Sequence, residues 1–213
     1  MSRENSETIE VYEKYGDKYL ERNAKDIINN PKAKADNDEQ IRRIKRYLVG
    51  LDRDAKIFEV GSANGRDAKL FQSLGYRNII VSDVVDYFLS ILKKEGFSPL
   101  KFNLITDDFN DKYDFVFCWA VLVHFKKDEA KTAIKKIFNA LNDNGRIALC
   151  VKRKEKFEEK WDDFGGKIGA KRYFSYWDKN ELLDCMEKTG FKNILIETTD
   201  GARSNWLECY AEK

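Results

Sequence analysis

Short apolar segments alternate with amphipathic stretches through the middle of this 213-residue chain. Each apolar segment is about five residues long, which suits a buried strand, and each amphipathic stretch repeats apolar residues at helical spacing. Strands that are connected through helices run parallel to one another. The pattern predicts a doubly wound α/β fold, with strands at 56–60, 78–82, 100–104, 114–120 and 146–152 and helices at 66–74, 86–95 and 128–141.

The end of the chain departs from this alternation. A helix is expected from Asp178 to Gly190, and two strand-like segments follow at 193–199 and 205–211. The connection between these segments is too short for a crossover helix, so they are expected to pair in antiparallel fashion. The chain as a whole is therefore predicted to form a mostly parallel sheet of seven strands with an antiparallel last strand.

The first 50 residues precede the alternating pattern and are expected to be helical. Asp36 and Glu39 form a capping-box-like helix start. Apolar residues then recur at helical spacing, at Ile41, Ile44, Tyr47, Leu48 and Leu51.

Charge and cysteine content exclude several classes of protein. The chain has 39 basic and 37 acidic side chains, without the basic excess of a dedicated nucleic-acid binder. The four cysteines form no CxxC pair, and the single histidine cannot complete a zinc site with them, so we expect no metal. No stretch approaches the roughly 20 apolar residues of a membrane span. We expect a cytoplasmic protein with reduced, buried cysteines.

The loop after the first strand is the strongest candidate for a binding site. Residues 59–67, EVGSANGRD, combine an acidic residue with small residues that let the backbone turn tightly and a ligand approach closely. The spacing matches neither the dinucleotide fingerprint nor a phosphate-binding loop, which disfavours a dehydrogenase. Glu59 suits an ammonium group, and Asp83 at the end of the second strand suits two ribose hydroxyls. A plain glycine-rich turn and an acidic turn residue are the alternatives.

This loop resembles motif I of the class I S-adenosylmethionine-dependent methyltransferases, which have a Rossmann-like fold. In that family Asp or Glu precedes G-x-G-x-G, and an acid like Asp83 binds the ribose. Asn103 stands where the family usually has Asp near the adenine amine, and Ala63 replaces the middle glycine. The resemblance implies that S-adenosylmethionine is bound by Tyr12, Tyr19, Glu59, Gly61, Ser62, Ala63, Gly65, Asp83, Val84, Asn103, Leu104 and Trp119.

The resemblance extends to a subgroup of small bacterial methyltransferases and covers roughly residues 10–213. Its short motifs here are Gly65-Arg66-Asp67, Trp119-Ala120, Arg172-Tyr173-Phe174 and Trp206-Leu207. It implies a single domain over 1–213, divided into an N-terminal helical lid (1–50), a cofactor-binding core (51–152), an acceptor-covering insert (153–177) and a last helix with hairpin (178–213).

The lid is implied by residues 11–23, which resemble the family's lid helix. Tyr12 and Tyr19 lie one heptad apart and so on one helix face, where they would cover the methionine end of the cofactor or simply pack the helix onto the core. Trp119 would similarly either line the cofactor pocket or belong to the hydrophobic core.

The acceptor side is less specific in the sequence. His124 follows the fourth strand, where it could act as a general base or could pack against or cap the next helix. The insert carries glycines that could act as hinges and candidate acceptor contacts at Arg172, Tyr173 and Trp177, together with Phe174 and Tyr176. Arg172 could hold an anionic group or could be a surface arginine.

The resemblance implies transfer of a methyl group from S-adenosylmethionine to an oxygen or nitrogen atom of a small-molecule acceptor. Methylation of tRNA or protein is the first alternative, although nucleic acid is disfavoured by the charge balance. A non-catalytic cofactor-binding scaffold is the second. The sequence leaves both a monomer and a homodimer open.

Overall fold

The parallel core of the sheet follows the predicted alternation. The computed structural model describes residues 1–163, 168–202 and 204–213. Five strands lie in the order β3-β2-β1-β4-β5, and each neighbouring pair is parallel. The strands are β1 (Ile57–Val60), β2 (Ile79–Asp83), β3 (Leu100–Lys101), β4 (Tyr113–Trp119) and β5 (Leu141–Arg153), and the connecting helices are α3 (Arg66–Ser73), α4 (Asp86–Lys94) and α5 (Lys127–Ala140). The doubly wound α/β prediction is confirmed.

The C-terminal part forms the expected antiparallel hairpin. Helix α6 (Lys179–Thr189) is followed by β8 (Lys192–Asp200) and β9 (Asn205–Glu212). Strand β9 pairs antiparallel with both β8 and β5. Because residues 146–150 of β5 also pair with β4, strand β9 occupies the other edge of β5.

The insert differs from the prediction, because part of it is a β-hairpin. Strands β6 (Glu159–Asp162) and β7 (Arg172–Trp177) pair antiparallel, and β7 pairs with Lys152 and Arg153 of β5 in parallel. The described residues therefore form nine strands, not seven. The aromatic residues of R-Y-F-S-Y-W are typical of a strand, and the glycines before them obscured that signal. Two of those glycines, at 165 and 166, lie outside the described residues.

The third strand is shorter than predicted. It ends at Lys101, and the Phe102 backbone N–H still donates a hydrogen bond to the Asp83 carbonyl oxygen (3.0 Å). Asn103 explains this end, because its side-chain Oδ1 accepts a hydrogen bond from the Ile105 backbone N–H (3.0 Å) in a local turn.

The N-terminal region contains two long helices, α1 (Arg3–Asn29) and α2 (Pro31–Tyr47), and α1 is kinked at Tyr15. Asn30 caps α2 by accepting hydrogen bonds from the backbone N–H groups of the first turn, and Pro31 is the first helical residue. The predicted start at Asp36 is wrong. Asp36 instead accepts a hydrogen bond from the backbone N–H of Ala202 (2.7 Å), beside the β8–β9 connection.

Apolar residues on both faces of the sheet form the core, and the four cysteines are buried within it as free thiols. Among residues 1–163, 168–202 and 204–213, no helix has both the length and the apolar character needed to cross a membrane.

Helix α1 is fastened to the start of helix α4. Glu13 accepts hydrogen bonds from the backbone N–H groups of Asp86 (2.6 Å) and Tyr87 (3.0 Å), which are unpaired donors at a helix N-terminus. Gly16 lies against the Tyr87 ring so closely that a Cβ atom there would be 2.5 Å from Tyr87 Cδ1. A glycine is therefore needed where the two helices touch.

We expect Gly16→Ala to loosen the docking of α1, because the added methyl group overlaps the Tyr87 ring. Overpacking of this kind costs about 1–3 kcal/mol. Limited proteolysis should show faster cleavage within residues 1–29. Glu10→Ala, at an exposed position of the same helix, is the control and should leave the cleavage rate unchanged. Equal rates in the two variants would contradict the packing described above.

Candidate active site

A cavity of about 120 Å³ lies at the carboxyl ends of β1, β2 and β4, beneath α1. We call it the loop cavity. It is lined by the predicted residues Tyr12, Tyr19, Gly61, Ala63, Asp83, Val84, Asn103, Leu104, Trp119 and His124. Ligands of open α/β sheets bind at this end of the strands.

The loop after β1 forms one wall of the loop cavity, and its backbone requires small residues. Gly61 and Gly65 have φ angles of +70° and +74°. A Cβ atom on Gly61 would lie 2.5 Å from Val121, and one on Gly65 would lie 2.9 Å from Phe97. Ala63 also adopts a left-handed conformation, with φ of +46°, which costs a non-glycine residue about 1 kcal/mol. Ala63 can therefore occupy the position of the family's middle glycine, at the cost of this backbone strain.

Asp83 is held in a fixed orientation toward the loop cavity. Its Oδ2 accepts a hydrogen bond from the Ala63 backbone N–H (2.9 Å), and its Oδ1 accepts one from the Val85 backbone N–H (3.0 Å). Burial raises the pKa of this carboxyl to about 6, against the effect of the backbone hydrogen bonds. Each oxygen keeps a lone pair for a further donor.

Glu59 is a buried carboxylate that lacks a full set of partners. Its side chain is almost inaccessible, and no described residue donates a hydrogen bond to Oε2. Burial, reinforced by the nearby Asp67 carboxylate, raises the pKa of Glu59 to about 8. Because burying an uncompensated charge is costly, this position fits a ligand that brings a cation. The ammonium group of a bound amino acid moiety has that chemistry.

Aromatic rings from α1 cover the loop cavity. Tyr12 and Tyr19 meet edge to face with ring centroids 5.1 Å apart, and both rings lie against Phe88 of α4. The Trp119 ring stacks on Phe117, with ring centroids 5.2 Å apart, and Trp119 also lines the cavity. With its amide oriented to satisfy its neighbours, Gln40 accepts a hydrogen bond from Trp119 Nε1 (3.1 Å).

His124 sits in a chain of hydrogen bonds that fixes its tautomer. Its Nδ1 lies 2.8 Å from the carbonyl oxygen of Tyr173, which can only accept, so Nδ1 carries the proton. Nε2 therefore accepts from the Tyr12 hydroxyl (3.0 Å), and Arg172 Nη1 donates to the Tyr12 oxygen (2.5 Å). Burial, together with the Arg172 charge, lowers the pKa of His124 to about 3, so the ring is neutral.

A second, larger cavity of about 480 Å³ adjoins the first, and we call it the strand cavity. It lies between helices α1 and α2 and one face of strands β5, β7 and β9. Both cavities are lined by Tyr12, Tyr19, Gly61, Ala63, Trp119, Ala120 and His124. These shared residues form the junction between the two spaces. Of the other predicted cofactor residues, Ser62 lines the strand cavity, whereas Glu59 and Gly65 line neither cavity.

Alternate residues of β7 separate the predicted acceptor contacts. Arg172 and Phe174 line the strand cavity, and Arg172 is only 3% exposed, so it is not a surface arginine. Tyr173 and Trp177 are on the other face. The Tyr173 hydroxyl donates to Glu159 (2.5 Å), and Trp177 is fully buried in the core. The expectation that these two side chains contact an acceptor is therefore not supported by their positions, because alternate residues of a strand face opposite sides of the sheet.

Sequence reasoning missed the contribution of β5 and β9 to the strand cavity. Cys150 and Lys152 on β5 face it, as do Trp206 and Glu208 on β9. The strand register pairs Cys150 with Glu208 and Lys152 with Trp206. A buried lysine within the apolar run ALCVK was the available signal, since lysine is rarely fully buried.

The comparisons with known proteins agree with this geometry. The family described as "Methyltransferase domain" matches residues 33–196. The chain belongs to the class I S-adenosylmethionine-dependent methyltransferases. No curated protein is significantly similar to it in sequence.

Solved methyltransferases share the fold at low sequence identity. Magnesium protoporphyrin IX methyltransferase from Synechocystis PCC 6803, with bound S-adenosylmethionine, has a TM-score of 0.76, 14% identity and coverage of 100% of this chain and 98% of that chain. The 1,6-didemethyltoxoflavin-N1-methyltransferase from Burkholderia thailandensis was crystallised with 1,6-didemethyltoxoflavin and S-adenosylhomocysteine. It has a TM-score of 0.63 and 18% identity, with coverage of 79% of this chain and 75% of that chain. The N-methyltransferase NodS from Bradyrhizobium japonicum WM9 has a TM-score of 0.63 and 14% identity, with coverage of 87% of this chain and 98% of that chain.

Within the described part of this methyltransferase, no three His, Cys, Asp or Glu side chains are grouped so that they could hold a metal ion.

The raised pKa of Glu59 predicts a pH-dependent stability difference between this methyltransferase and its Glu59→Gln variant. The carboxyl binds its proton more tightly in the folded state, so its favourable contribution is complete below pH 4.5 and is lost as the pH rises toward 8. Urea unfolding without ligand should therefore show Glu59→Gln gaining stability relative to wild type over this range. Glu95→Gln, at an exposed position, should show no such trend. If the free energy of unfolding of Glu59→Gln differed from that of wild type by the same amount at every pH in this range, the raised pKa of Glu59 would be wrong.

Proposed function

We propose that this chain transfers a methyl group from S-adenosylmethionine to an oxygen or nitrogen atom of a small molecule, with a hydroxyl group as the favoured acceptor. The junction of the two cavities carries this proposal. A cavity that suits the cofactor opens, at Tyr12, Trp119 and His124, into a larger one that could hold the acceptor. Donor and acceptor would meet at that junction.

The loop cavity, together with Glu59 beside it, offers complementary groups for each part of the cofactor. Asp83 would accept hydrogen bonds from the ribose hydroxyls, and Glu59 would stabilise the methionine ammonium group. The adenine ring would lie among Val84, Asn103 and Leu104. When bound, S-adenosylmethionine supplies a methyl group on a sulfonium, which is already activated for in-line displacement. Alignment of the two reactants is then the main contribution of the protein.

Tyr12 and His124 are placed to take the proton of the acceptor. The Tyr12 hydroxyl donates its proton to His124 Nε2, accepts a hydrogen bond from Arg172, and belongs to a residue that lines both cavities. The acceptor would lose its proton to the Tyr12 oxygen while the Tyr12 proton passes to His124 Nε2. The Tyr173 carbonyl oxygen, which accepts a hydrogen bond from Nδ1, would stabilise the protonated imidazole ring. Arg172 holds the Tyr12 oxygen in place during this exchange.

The low pKa of His124 favours a hydroxyl acceptor. A weak base can remove a proton only from a strongly acidic group, and an oxygen becomes strongly acidic as it gains a methyl group. A methylated amine is a much weaker acid, so this relay would help it less. Nitrogen remains the second choice of acceptor atom.

A small acceptor is favoured over a macromolecule because the strand cavity lies beneath the lid helices α1 and α2. The structural neighbours named for magnesium protoporphyrin IX and 1,6-didemethyltoxoflavin support the same class of acceptor.

The cofactor assignment is tested by calorimetric titration with S-adenosylmethionine, S-adenosylhomocysteine and NADH. We expect the two adenosyl compounds to bind and NADH not to bind. Asp83→Ala should weaken their binding by about 1–3 kcal/mol, because charge-assisted hydrogen bonds to the ribose are lost. Asp111→Ala, an exposed acidic position paired with Lys56, is the control. Unchanged affinity in Asp83→Ala would refute the ribose position.

The relay is tested by nitrogen NMR of the imidazole, which needs no assignment because the chain has a single histidine. Since the pKa of His124 is lowered to about 3, the ring should stay neutral from pH 5 to 8 with its proton on Nδ1. Tyr12→Phe should shift the Nε2 resonance and leave Nδ1 nearly unchanged. A titration near pH 6.5, the value of an unperturbed histidine, would rule out the buried relay.

A further inference from the structure

One buried side chain of the loop cavity has an acceptor atom without a partner. Asn5, in the first turn of α1, lines this cavity and is only 3% exposed. Its Nδ2 donates a long hydrogen bond to the His124 carbonyl oxygen (3.5 Å), which can only accept, so this contact sets the orientation of the amide. Its Oδ1 has no hydrogen-bond partner among the described residues.

A buried amide oxygen without a donor destabilises the ligand-free protein. Such an atom loses its hydrogen bonds to water and gains none in return, and native proteins contain few of them. Of the described residues that line the loop cavity, Asn5 alone has a buried side-chain atom of this kind. An unpartnered acceptor in the wall of a ligand cavity indicates that its donor comes from the ligand.

The chemistry of the cofactor identifies this donor. S-adenosylmethionine carries an ammonium group, two ribose hydroxyls and the amine of adenine as hydrogen-bond donors. Glu59 and Asp83, assigned above to the ammonium group and the ribose, are both carboxyl groups. The adenine amine is the remaining donor, and because it is neutral it suits the neutral oxygen of an amide.

The start of α1 lies at the adenine end of the loop cavity. Met1 Sδ accepts a hydrogen bond from Asn103 Nδ2 (3.2 Å), and Asn5 is about one helical turn further along the chain. Asn103 and Leu104, between which the adenine ring was placed above, line the same cavity as Asn5. The Asn5 amide is therefore on the side of the cavity where the adenine would bind.

Asn103 is the residue that the sequence places near the adenine amine, but its side chain is engaged within the protein. Its Oδ1 accepts a hydrogen bond from the Ile105 backbone N–H (3.0 Å), and its Nδ2 donates to Met1. Both branches of this amide have partners, and they fix the turn after β3. Asn5 is the asparagine whose oxygen still lacks a donor.

Contacts at the start of α1 hold Asn5 in position before a ligand binds. The Asn5 backbone N–H donates a hydrogen bond to Ser2 Oγ (3.3 Å), and the Ser2 hydroxyl donates to Glu129 Oε2 (2.8 Å) on α5. Ser2 therefore caps α1 and joins it to α5. Because the first turn of α1 is fixed in this way, little freedom is lost when the Asn5 oxygen accepts a hydrogen bond.

From these observations, and resting on the cofactor position proposed above, we infer that Asn5 Oδ1 accepts a hydrogen bond from the adenine amine. Asn5 is then a specificity-determining residue that distinguishes adenine from purines without this donor. A site built to bind an N–H group rejects an analogue that lacks it, because the buried acceptor is left unpaired. The lid helix thus takes part in recognising the cofactor as well as covering it.

The test is calorimetry with S-adenosylhomocysteine and with its analogue in which hydrogen replaces the adenine amino group. Wild type should bind S-adenosylhomocysteine about tenfold more tightly than the analogue, because one buried hydrogen bond is lost. Asn5→Leu keeps the branched shape and lacks the acceptor, so the two affinities should become nearly equal. Asn103→Ala removes the competing amide and should keep the preference. Asn139→Leu, at an exposed position of α5, is the matched control and should also keep it.

The ratio of the two affinities separates recognition from a structural role, which would weaken both ligands equally. Failure of S-adenosylhomocysteine to bind wild type would overturn the proposed function, and the role of Asn5 with it. If S-adenosylhomocysteine binds but is not preferred, or if the preference survives in Asn5→Leu, the role of Asn5 is wrong and the methyltransferase proposal stands. Asn5→Ala, which removes the acceptor without adding bulk, should lose the preference in the same way. Binding of the analogue to either variant shows that it is folded.

Discussion

The hydrogen-bonded chain from Arg172 through Tyr12 and His124 to the Tyr173 carbonyl joins the elements on which the site depends. Tyr12 comes from α1, His124 from the turn after β4, and the other two residues from β7. Each hydrogen bond of this buried network is stronger than it would be in water, so the bonds hold the three elements in a fixed arrangement. The network therefore links α1, the turn after β4 and β7 at one point beside the two cavities.

The buried charged residues of the site are better explained by ligand binding than by a contribution to the stability of the fold. Glu59 and Asp83 have raised pKa values, and Lys152 has a lowered one, in each case chiefly because of burial. A protein selected only for stability would place apolar residues at such positions. Asp83 lines the loop cavity and Glu59 adjoins it, whereas the strand cavity is lined by both acids and cations. The two acids at the loop cavity suit the cationic methyl donor proposed above.

Much of the fold was predictable because hydrophobic periodicity reports directly on burial. The five parallel strands and the terminal hairpin followed from it, and Glu59 and Asp83 followed from the rule that ligands bind at the carboxyl ends of strands. The short β3 was not predictable, because Asn103 ends the strand through a local turn that composition does not reveal. Strand β7 was obscured by the neighbouring glycines.

The acceptor side was harder to predict because its residues converge only through strand pairing. Lys152 and Trp206 are far apart in sequence and become neighbours through the antiparallel register of β5 and β9. One residue of offset decides which side chains of β7 face the cavity, so Arg172 lies inside while Tyr173 supports His124 from behind through its carbonyl. The same strand thus positions His124 of the proposed relay and lines the strand cavity. A change in acceptor specificity made through β7 would therefore also disturb the relay, whereas substitutions on β5 or β9 could alter specificity and leave the relay in place.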